Sequence, residues 1–305
     1  LHEALELADR IVVMRGGRTV AEVRPDEVDE PKLAELMVGR PVSLTVDKTE
    51  AEPTDVVLEV DDLSVRDDRE HMAVRGVSFA VRSGEIVGIA GVQGNGQSEL
   101  VEALTGLRPP AAGTVHIGGA DATDRSPRGV HDMGVAHVPE DRQHMGLIMG
   151  FPVYENIVLD SYHSAPYSGP VQMNWGEARR AAEELVEQYD VRTPSIETTV
   201  GSLSGGNQQK VIVAREFARD TRLVIASQPT RGIDVGSIEY IHRRIVEERD
   251  AGSAVLIVSS ELEEVTALSD RIIVMHAGRI AGEFDAAIAT TTELGMAMLG
   301  SGSGA

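Results

Sequence analysis

The chain of 305 residues has no cysteine, only 3% aromatic residues and only three lysines. The absence of cysteine excludes disulfides and thiolate metal sites, although it says little about the cellular compartment. No apolar run approaches the roughly 20 residues that a membrane-spanning helix needs. The sequence opens with Leu1-His2-Glu3 and shows neither a basic nor an apolar leader region, so we expect the mature protein in the cytosol.

The charge is strongly one-sided, with a net value of −21. Binding along a nucleic acid needs clustered Lys and Arg, so we expect no nucleic-acid partner. Many acidic residues with scarce lysine (Lys32, Lys48, Lys210) are typical of a halophile's surface, because salt screens the mutual repulsion of like charges. The alternative is an acidic bacterial protein encoded by a GC-rich genome.

A Ser and two glycines precede a helix-forming run in residues 203–210, which read Leu-Ser-Gly-Gly-Asn-Gln-Gln-Lys. Exposed N–H groups, a hydroxyl and the positive end of a helix dipole favour anion binding at such a helix start. The structural alternative is an ordinary Ser N-cap. An apolar run typical of a buried strand follows at 223–226, and Pro-Thr-Arg-Gly-Ile-Asp at 229–234 ends that strand.

A second glycine-rich stretch, residues 91–98, lies between a strand predicted at 85–90 and a helix predicted at 97–107. Its glycines would let backbone amides approach phosphates, but the position of the P-loop Lys holds Gln97, which brings no charge. A dinucleotide fingerprint is the competing interpretation, and no acidic residue at a convincing strand end supports it. The predicted nucleotide-binding residues are Gly91, Gly94, Asn95, Gly96, Gln97 and Ser98, with Ser98 also the candidate Mg²⁺ ligand.

The order of these motifs resembles the ATPases of the ATP-binding cassette (ABC) family. The extension at 207–210 resembles the subset that energises uptake of sugars and nucleosides, as does the Pro-Glu-Asp-Arg stretch at 139–142. The resemblance implies an α/β P-loop NTPase fold with a parallel core sheet, an antiparallel β subdomain and a helical subdomain at about 153–205. It also implies ATP and Mg²⁺ as cofactors.

Several positions depart from the pattern of that family. Its Walker B strand ends in Asp-Glu, but here Ser227 cannot supply a carboxylate for Mg²⁺ and Gln228 cannot accept a proton from the attacking water. The switch His falls on Ser260, the P-loop Lys on Gln97, and no aromatic residue for the adenine occurs near 65–67. We therefore predict no intact catalytic residue on this chain and a weak or inactive site.

The resemblance also implies partners, because ABC ATPase domains dimerise head to tail and the signature of one closes on ATP held by the other. The residues expected to act on another domain's nucleotide are Ser204, Gly205, Gly206 and Asn207, with Asp234 at the D-loop. Segment 140–156 would face the coupling helix of a permease, or else be a solvated charged loop. We expect a peripheral subunit on the cytoplasmic face of the membrane that serves permease subunits and, indirectly, a substrate-binding protein.

Residues 1–23 resemble residues 262–284, with 11 identical pairs at a constant spacing of 261. Chance similarity of two helix–hairpin units is the alternative. The spacing predicts a tandem protein: residues 1–40 would be the C-terminal part of a first ABC ATPase domain, 41–54 a linker, 55–300 a second domain and 301–305 a flexible tail.

Three functional interpretations remain at this point. The first is the ATP-binding subunit of an importer for simple sugars or nucleosides. The second is a soluble ABC ATPase without a transporter, which the charge of −21 disfavours. The third is a non-hydrolysing regulatory nucleotide-binding domain. The sequence does not indicate the cargo.

Overall fold

The structure is a computed structural model that describes residues 1–41, 46–169 and 172–300. In this part of the chain, short strands alternate with helices, as the sequence predicts. The strands are β1 (Ile11–Arg15), β2 (Arg18–Val23), β3 (Val56–Arg66), β4 (Met72–Arg82), β5 (Ile86–Ala90), β6 (Ala112–Ile117), β7 (Ala120–Asp121), β8 (Val135–Val138), β9 (Leu223–Ser227), β10 (Ala254–Ser259), β11 (Arg271–His276) and β12 (Arg279–Asp285). The α-helices are α1 (His2–Leu7), α2 (Glu30–Val38), α3 (Gln97–Leu104), α4 (Pro127–His131), α5 (Val153–Ile157), α6 (Trp175–Gln188), α7 (Gly205–Phe217), α8 (Val235–Asp250), α9 (Leu262–Leu268) and α10 (Thr291–Met298).

A mostly parallel sheet forms the centre of the molecule, with strand order β12-β11-β5-β10-β9-β8. Only β12 runs antiparallel to its neighbour. Every residue of β5, β9 and β10 is buried, because this sheet is covered on both faces. The carboxyl ends of β5, β9 and β10 lie side by side and carry the sequence motifs, so the predicted α/β architecture is confirmed.

An antiparallel sheet of order β4-β3-β6-β7 covers one face of the parallel sheet. Its inward residues share a hydrophobic core with α3 and β5, including Leu58, Val77 and Leu100. The structure therefore confirms the predicted antiparallel subdomain.

In the region predicted as mostly helical, 153–199, the described residues are helical only in α5 and α6. Turns occupy 158–167, and 189–199 has no regular element. Pro166 and Pro194 interrupt the backbone hydrogen bonding that a helix needs, so the helical prediction was too broad. Helix α6 still buries Ala178 and Ala182 against the core that α7 and α8 share, as its apolar spacing predicts.

The two ends of the chain fold into the same helix–hairpin–helix unit. Pairing in β1–β2 joins Ile11 to Val23, and pairing in β11–β12 joins Ile272 to Phe284, which are the same positions displaced by 261. Both hairpins have their irregularity at equivalent positions, between Val13 and Met14 and between Val274 and Met275. Helices α2 and α10 extend the correspondence, since glycines with positive φ, Gly39 and Gly300, follow them at equivalent positions.

The predicted linker is attached to the body of the molecule where the structure describes it. Lys48 Nζ donates to the carbonyls of Leu268 (2.9 Å) and Ser269 (2.5 Å) and contacts Asp270 Oδ1 at 3.0 Å. A cation at the end of α9 offsets the negative pole of that helix. Residues 42–45 of the predicted linker and the predicted tail 301–305 lie outside the described residues.

Candidate functional site

The loop at 91–96 connects β5 to α3 and has the backbone that phosphate binding requires. Gly94 and Gly96 adopt φ values of 91° and 96°, and a Cβ on Gly96 would collide with the carbonyl oxygen of Ala73. The Asn95 side chain accepts a hydrogen bond from the Ala277 N–H (3.0 Å), so this side chain fastens the loop to the β11–β12 turn. Gly96 is the N-cap of α3, whose first N–H groups point into the loop.

Gln97 lies across this loop, with its Nε2 close to the position that a Cβ on Gly91 would take and only 7% of its surface exposed. The amide makes no hydrogen bond to any residue that the structure describes, so its N–H groups can serve a ligand. The amide brings donors but no positive charge. Gln97 therefore fits a phosphate, and more weakly than a lysine would.

Ser98 and Ser227 line one cavity of about 190 Å³, with Val101, Glu102, His137, Glu140 and Met145. Ser98 Oγ donates to Glu140 Oε2 at 3.1 Å, so the carboxylate beside this hydroxyl comes from the loop after β8 instead of from β9. A hydroxyl and a carboxylate are oxygen ligands of the kind Mg²⁺ accepts beside nucleotide phosphates, so the donor set fits Mg²⁺. Arg231 Nη1 contacts the other carboxylate oxygen of Glu140 at 2.7 Å and offsets part of its charge.

Gln228 and Ser260, which stand at the positions predicted for the catalytic Glu and the switch His, contact each other in this chain. Gln228 Oε1 accepts hydrogen bonds from the backbone N–H and the hydroxyl of Ser260, both at 3.3 Å. Gln228 holds φ at 47°, which is uncommon for a residue with a side chain, and its N–H donates to Val258 at 2.7 Å. Neither side chain carries a charge, so the pair is neutral where hydrolysis would need a general base.

The signature stretch begins α7, and Ser204 is the N-cap of this helix. Ser204 Oγ accepts from the Asn207 N–H (3.4 Å) and from its side-chain amide (2.9 Å), which is the geometry of the structural alternative. The N–H groups of Gly205 and Gly206 have no hydrogen-bond partner among the described residues. Ser204 is exposed, so the N-cap geometry leaves an anion-binding helix start open to solvent.

The rest of the signature stretch fixes α7 to its surroundings. Gln208 donates to the carbonyls of Val200 (3.3 Å) and Leu203 (3.1 Å). Lys210 is 6% exposed, and its Nζ contacts Asp190 Oδ2 at 2.6 Å and lies 4.4 Å from the centre of the Tyr240 ring. These contacts tie α7 to the segment that precedes it and to α8.

Gly206 packs directly on the start of α8. A Cβ at Gly206 would collide with Ser237 Oγ and would lie 2.8 Å from Asp234 Oδ2. Asp234 is the N-cap of α8 and accepts from the N–H (3.0 Å) and the hydroxyl (2.8 Å) of Ser237. The structure therefore brings the predicted signature and D-loop residues together.

Arg142 is a residue of this site that the sequence did not single out. It donates to the carbonyls of Arg231 (2.7 Å) and Gly232 (3.2 Å) and, at 3.4 Å, to Gln208 Oε1. Glu140 and Arg142 thus both make contacts within the chain, and the prediction that segment 140–156 faces a permease stays a prediction. Asp141 caps the single π-helical turn Arg142–Gly146, and the backbone N–H of His144 holds the pKa of this carboxyl below its usual value.

The environment of His137 suppresses its charge. Burial, aided by the positive charge of Arg215, lowers the pKa of this imidazole to about 4. Its Nε2 is buried without a hydrogen-bond partner. The ring beside the candidate nucleotide cavity is therefore neutral at pH 7.

The structure keeps the two predicted binding stretches apart. Among the described residues, no hydrogen bond joins the signature residues 204–207 to the loop residues 91–98. The part of the chain that is described also has no group of three or more His, Asp or Glu side chains that could hold a metal by themselves. Each stretch therefore presents its N–H groups independently.

Comparison with known proteins identifies a family and shows that the curated relatives are longer than this chain. A family profile described as "ABC transporter" matches residues 74–231. The guanosine import ATP-binding protein NupO of Bacillus subtilis is 47% identical over 97% of this chain and 58% of its own length. The nucleoside import ATP-binding protein NupA of Lactococcus lactis is 46% identical over 98% of this chain and 59% of its own length. A glucose import ATP-binding protein of Haloferax volcanii is 42% identical over 99% and 55%.

Solved structures share the fold at low sequence identity. An ABC transporter ATP-binding cassette in its ADP conformation has a TM-score of 0.64 at 22% identity and covers 81% of this chain and 96% of its own. A dimeric cassette bound to ADP and phosphate has a TM-score of 0.64 at 22% identity, covering 75% and 98%. The chain spans more than half, but less than two thirds, of the length of the curated relatives named above. It belongs to the ABC transporter family as an ATP-binding domain.

Proposed function

We propose that this chain is the ATP-binding part of an ABC importer for nucleosides or simple sugars, which couples ATP binding and hydrolysis to transport. The observation that carries the proposal is 46–47% identity to guanosine and nucleoside import ATP-binding proteins over nearly the whole chain. Glucose and ribose import proteins match over a similar length. The permease and the substrate-binding protein would determine which of these solutes is transported.

The site that this chain itself carries binds nucleotide weakly and hydrolyses it little or not at all. The uncharged Gln97, the absence of a carboxylate at Ser227 and the neutral Gln228–Ser260 pair support this proposal. Residues 91, 94 and 96–98 would hold the phosphates. Ser98, with Glu140 beside it, would hold Mg²⁺.

The signature helix acts on a nucleotide held by another ATPase domain. Ser204 at the start of this helix is exposed, the N–H groups of Gly205 and Gly206 have no hydrogen-bond partner in the described chain, and Asn207 donates to Ser204. No hydrogen bond among the described residues joins this helix start to the predicted phosphate-binding loop at 91–98. Asp234, fixed next to Gly206, would lie at the same interface.

The other ATPase domain precedes this one in a tandem chain. In the helix–hairpin–helix unit at residues 1–39, the apolar side chains of Leu7 and Met14 are 81% and 64% exposed. Their counterparts in the second unit, Leu268 and Met275, are fully buried (0%). In the second unit, β5 pairs with β11 of the hairpin. Among the described strands, none pairs with the hairpin β1–β2 in this way. A preceding domain body would cover this face. The greater length of the relatives is consistent with that arrangement.

A permease is the second partner. Met145, Ile148 and Phe151 are exposed by 50%, 38% and 42% and follow the 139–142 stretch. Exposed apolar residues in one segment favour a protein contact. No helix in the described chain is long and apolar enough to cross a bilayer. We therefore propose peripheral attachment at the cytoplasmic face of the membrane, with a substrate-binding protein as an indirect partner.

The Gln228–Ser260 pair also supports a second candidate, a regulatory nucleotide-binding domain that does not hydrolyse ATP. Two measurements on this chain alone, labelled-nucleotide binding and phosphate release, distinguish both candidates from an ATPase that hydrolyses ATP without another domain. Weak binding with near-zero turnover is expected. Robust Mg²⁺-dependent hydrolysis by this chain alone would overturn the proposed division of roles.

A further inference from the structure

Helix α2 of the first unit packs on helix α8 of the second domain. The methyl carbons of Val38 lie 3.2 and 3.4 Å from the position that a Cβ on Gly236 would take. Arg40 Nη2 contacts Glu239 Oε2 at 2.8 Å, one turn further along α8. Gly236 is the second residue of α8, so this contact is adjacent to the D-loop residue Asp234.

The contact crosses between two structural units. Leu33 and Ala34 of α2 are buried, and α2 packs on β1 of its own hairpin. Its counterpart α10 packs on β11 and β12 of the second unit. Val38, the last residue of α2, faces α8 of the other unit.

The corresponding face of α10 has no such cover in the described chain. Leu299 stands where Val38 stands in the first unit and is 72% exposed. Met296 is one turn earlier on the same side of the helix and is 50% exposed. An apolar pair this exposed is typical of a surface that another element covers.

We infer that the two terminal helices cross over reciprocally. Helix α2 docks on α8, and the Met296–Leu299 face of α10 docks on the equivalent of α8 in the other ATPase domain of the same full-length protein. This inference rests on the proposed tandem arrangement. The occupant follows from the observed α2–α8 contact, because a pseudo-twofold pair of domains repeats each contact with the roles exchanged. Each D-loop helix would then be held by the last helix of the opposite domain.

Engineered disulfides in the full-length protein test both contacts, and this chain contributes no cysteine of its own. The first pair is Val38→Cys with Gly236→Cys, since the γ carbons of Val38, where a cysteine would carry its sulfur, lie 3.2 and 3.4 Å from the Cβ position at Gly236. The second pair is Leu299→Cys with a cysteine 261 residues before position 236. The control pair, Leu299→Cys with Gly236→Cys, joins helices that the inference keeps apart.

Mild oxidation should cross-link the first two pairs and leave the control pair reduced, as read from mobility on non-reducing gels. Failure of the first pair, or a bond in the control pair, overturns the inference. If the first pair closes and the second does not, the reciprocal contact is wrong while the proposed function stands. If the upstream sequence contains no second ATPase domain, the proposed tandem arrangement itself fails.

A substitution without cysteine chemistry gives an independent readout. Leu299→Asp should lower ATP hydrolysis by the full-length protein at least about fivefold, because an apolar anchor at the domain interface is lost. The matched control Ile288→Asp, also at an exposed apolar residue (78%) but outside the Met296–Leu299 face, should not. Equal rates for the two variants would contradict the inference.

Discussion

The buried amide of Gln97 lies where the resemblance to ABC ATPases predicts the P-loop lysine. Without a cation, the phosphates meet only neutral donors, which contribute less than charge-assisted ones. Replacement by Lys should restore the charge in a loop whose glycines already allow close approach. The spacing of residues 91–98 made this residue identifiable from the sequence alone, because the motif is local.

We predict that Gln97→Lys tightens MgATP binding about 5- to 30-fold, the equivalent of about 1–2 kcal/mol. Titration of this chain with a fluorescent ATP analogue measures the change. Gln97→Ala, which removes the donors without adding charge, is the matched control and should bind more weakly than the native chain. Binding by the Lys variant no tighter than by the native chain would show that Gln97 does not face the phosphates.

His137 gives a prediction for pH. Its pKa is near 6.5 in an unfolded chain and about 4 here, so the unfolded state takes up the proton first as the pH falls. Its contribution to stability is therefore full above about pH 6.5 and is lost toward pH 4. Between pH 7 and about pH 4.5 this loss amounts to about 2–3 kcal/mol.

Urea unfolding of the native chain and of His137→Gln at both pH values measures the effect. The difference in stability between the two proteins should shift by about that amount in favour of the variant at the lower pH. Parallel pH profiles for the two proteins would mean that the imidazole is not shielded as the structure indicates.

The contacts of the Arg142 side chain could not be predicted from the sequence. The sequence predicted that segment 140–156 faces a permease, and nothing local in it indicates which groups within the chain the Arg142 guanidinium contacts. Only the fold brings the carbonyls of Arg231 and Gly232 within reach of this guanidinium. Glu140 was missed as a neighbour of Ser98 for the same reason.

At the scale of elements, strands and caps were the predictable part. The apolar runs at 85–90, 223–226 and 254–259 became buried strands, and Ser204 became an N-cap, because both features follow from local chemistry. The region 153–199 was predicted with too much helix, since helical spacing in α6 was extended over segments that Pro166 and Pro194 interrupt.

We predict that Arg142 positions α7 relative to the loop that leads into α8. Arg142→Lys keeps the charge but cannot make the forked set of contacts to Arg231, Gly232 and Gln208. Hydrogen exchange should quicken at residues 204–208 and 231–237, and unfolding free energy should fall by about 1 kcal/mol. The control Arg192→Lys, at an exposed side chain, should leave both measurements unchanged. If hydrogen exchange at residues 204–208 were unchanged in Arg142→Lys, Arg142 would not position α7.

At the scale of the molecule, the repeat and its 261-residue spacing were visible in the sequence, and the structure reproduces the hairpin register. The docking of α2 on α8 was not visible, since it joins two distant segments through a glycine and an ion pair without a local signature. The anchoring of the linker by Lys48 was missed for the same reason.

The net charge of −21 leads to a prediction about salt. If the surface is adapted to high salt, the melting temperature should keep rising with KCl beyond about 1 M, where the screening length has fallen to about 3 Å. Thermal unfolding monitored by circular dichroism over a KCl series measures this. A melting temperature that does not increase above about 1 M would favour an acidic protein without such adaptation.

The central claim is that this chain contributes a signature to a nucleotide bound elsewhere, while its own hydrolytic site is idle. The most direct test is steady-state ATP hydrolysis by the full-length protein carrying either Ser204→Arg or Gln228→Ala. We predict that Ser204→Arg abolishes hydrolysis, because a bulky cation fills the exposed start of α7, and that Gln228→Ala leaves the rate within about twofold of the native rate. Loss of hydrolysis in Gln228→Ala comparable to that in Ser204→Arg would contradict the claim.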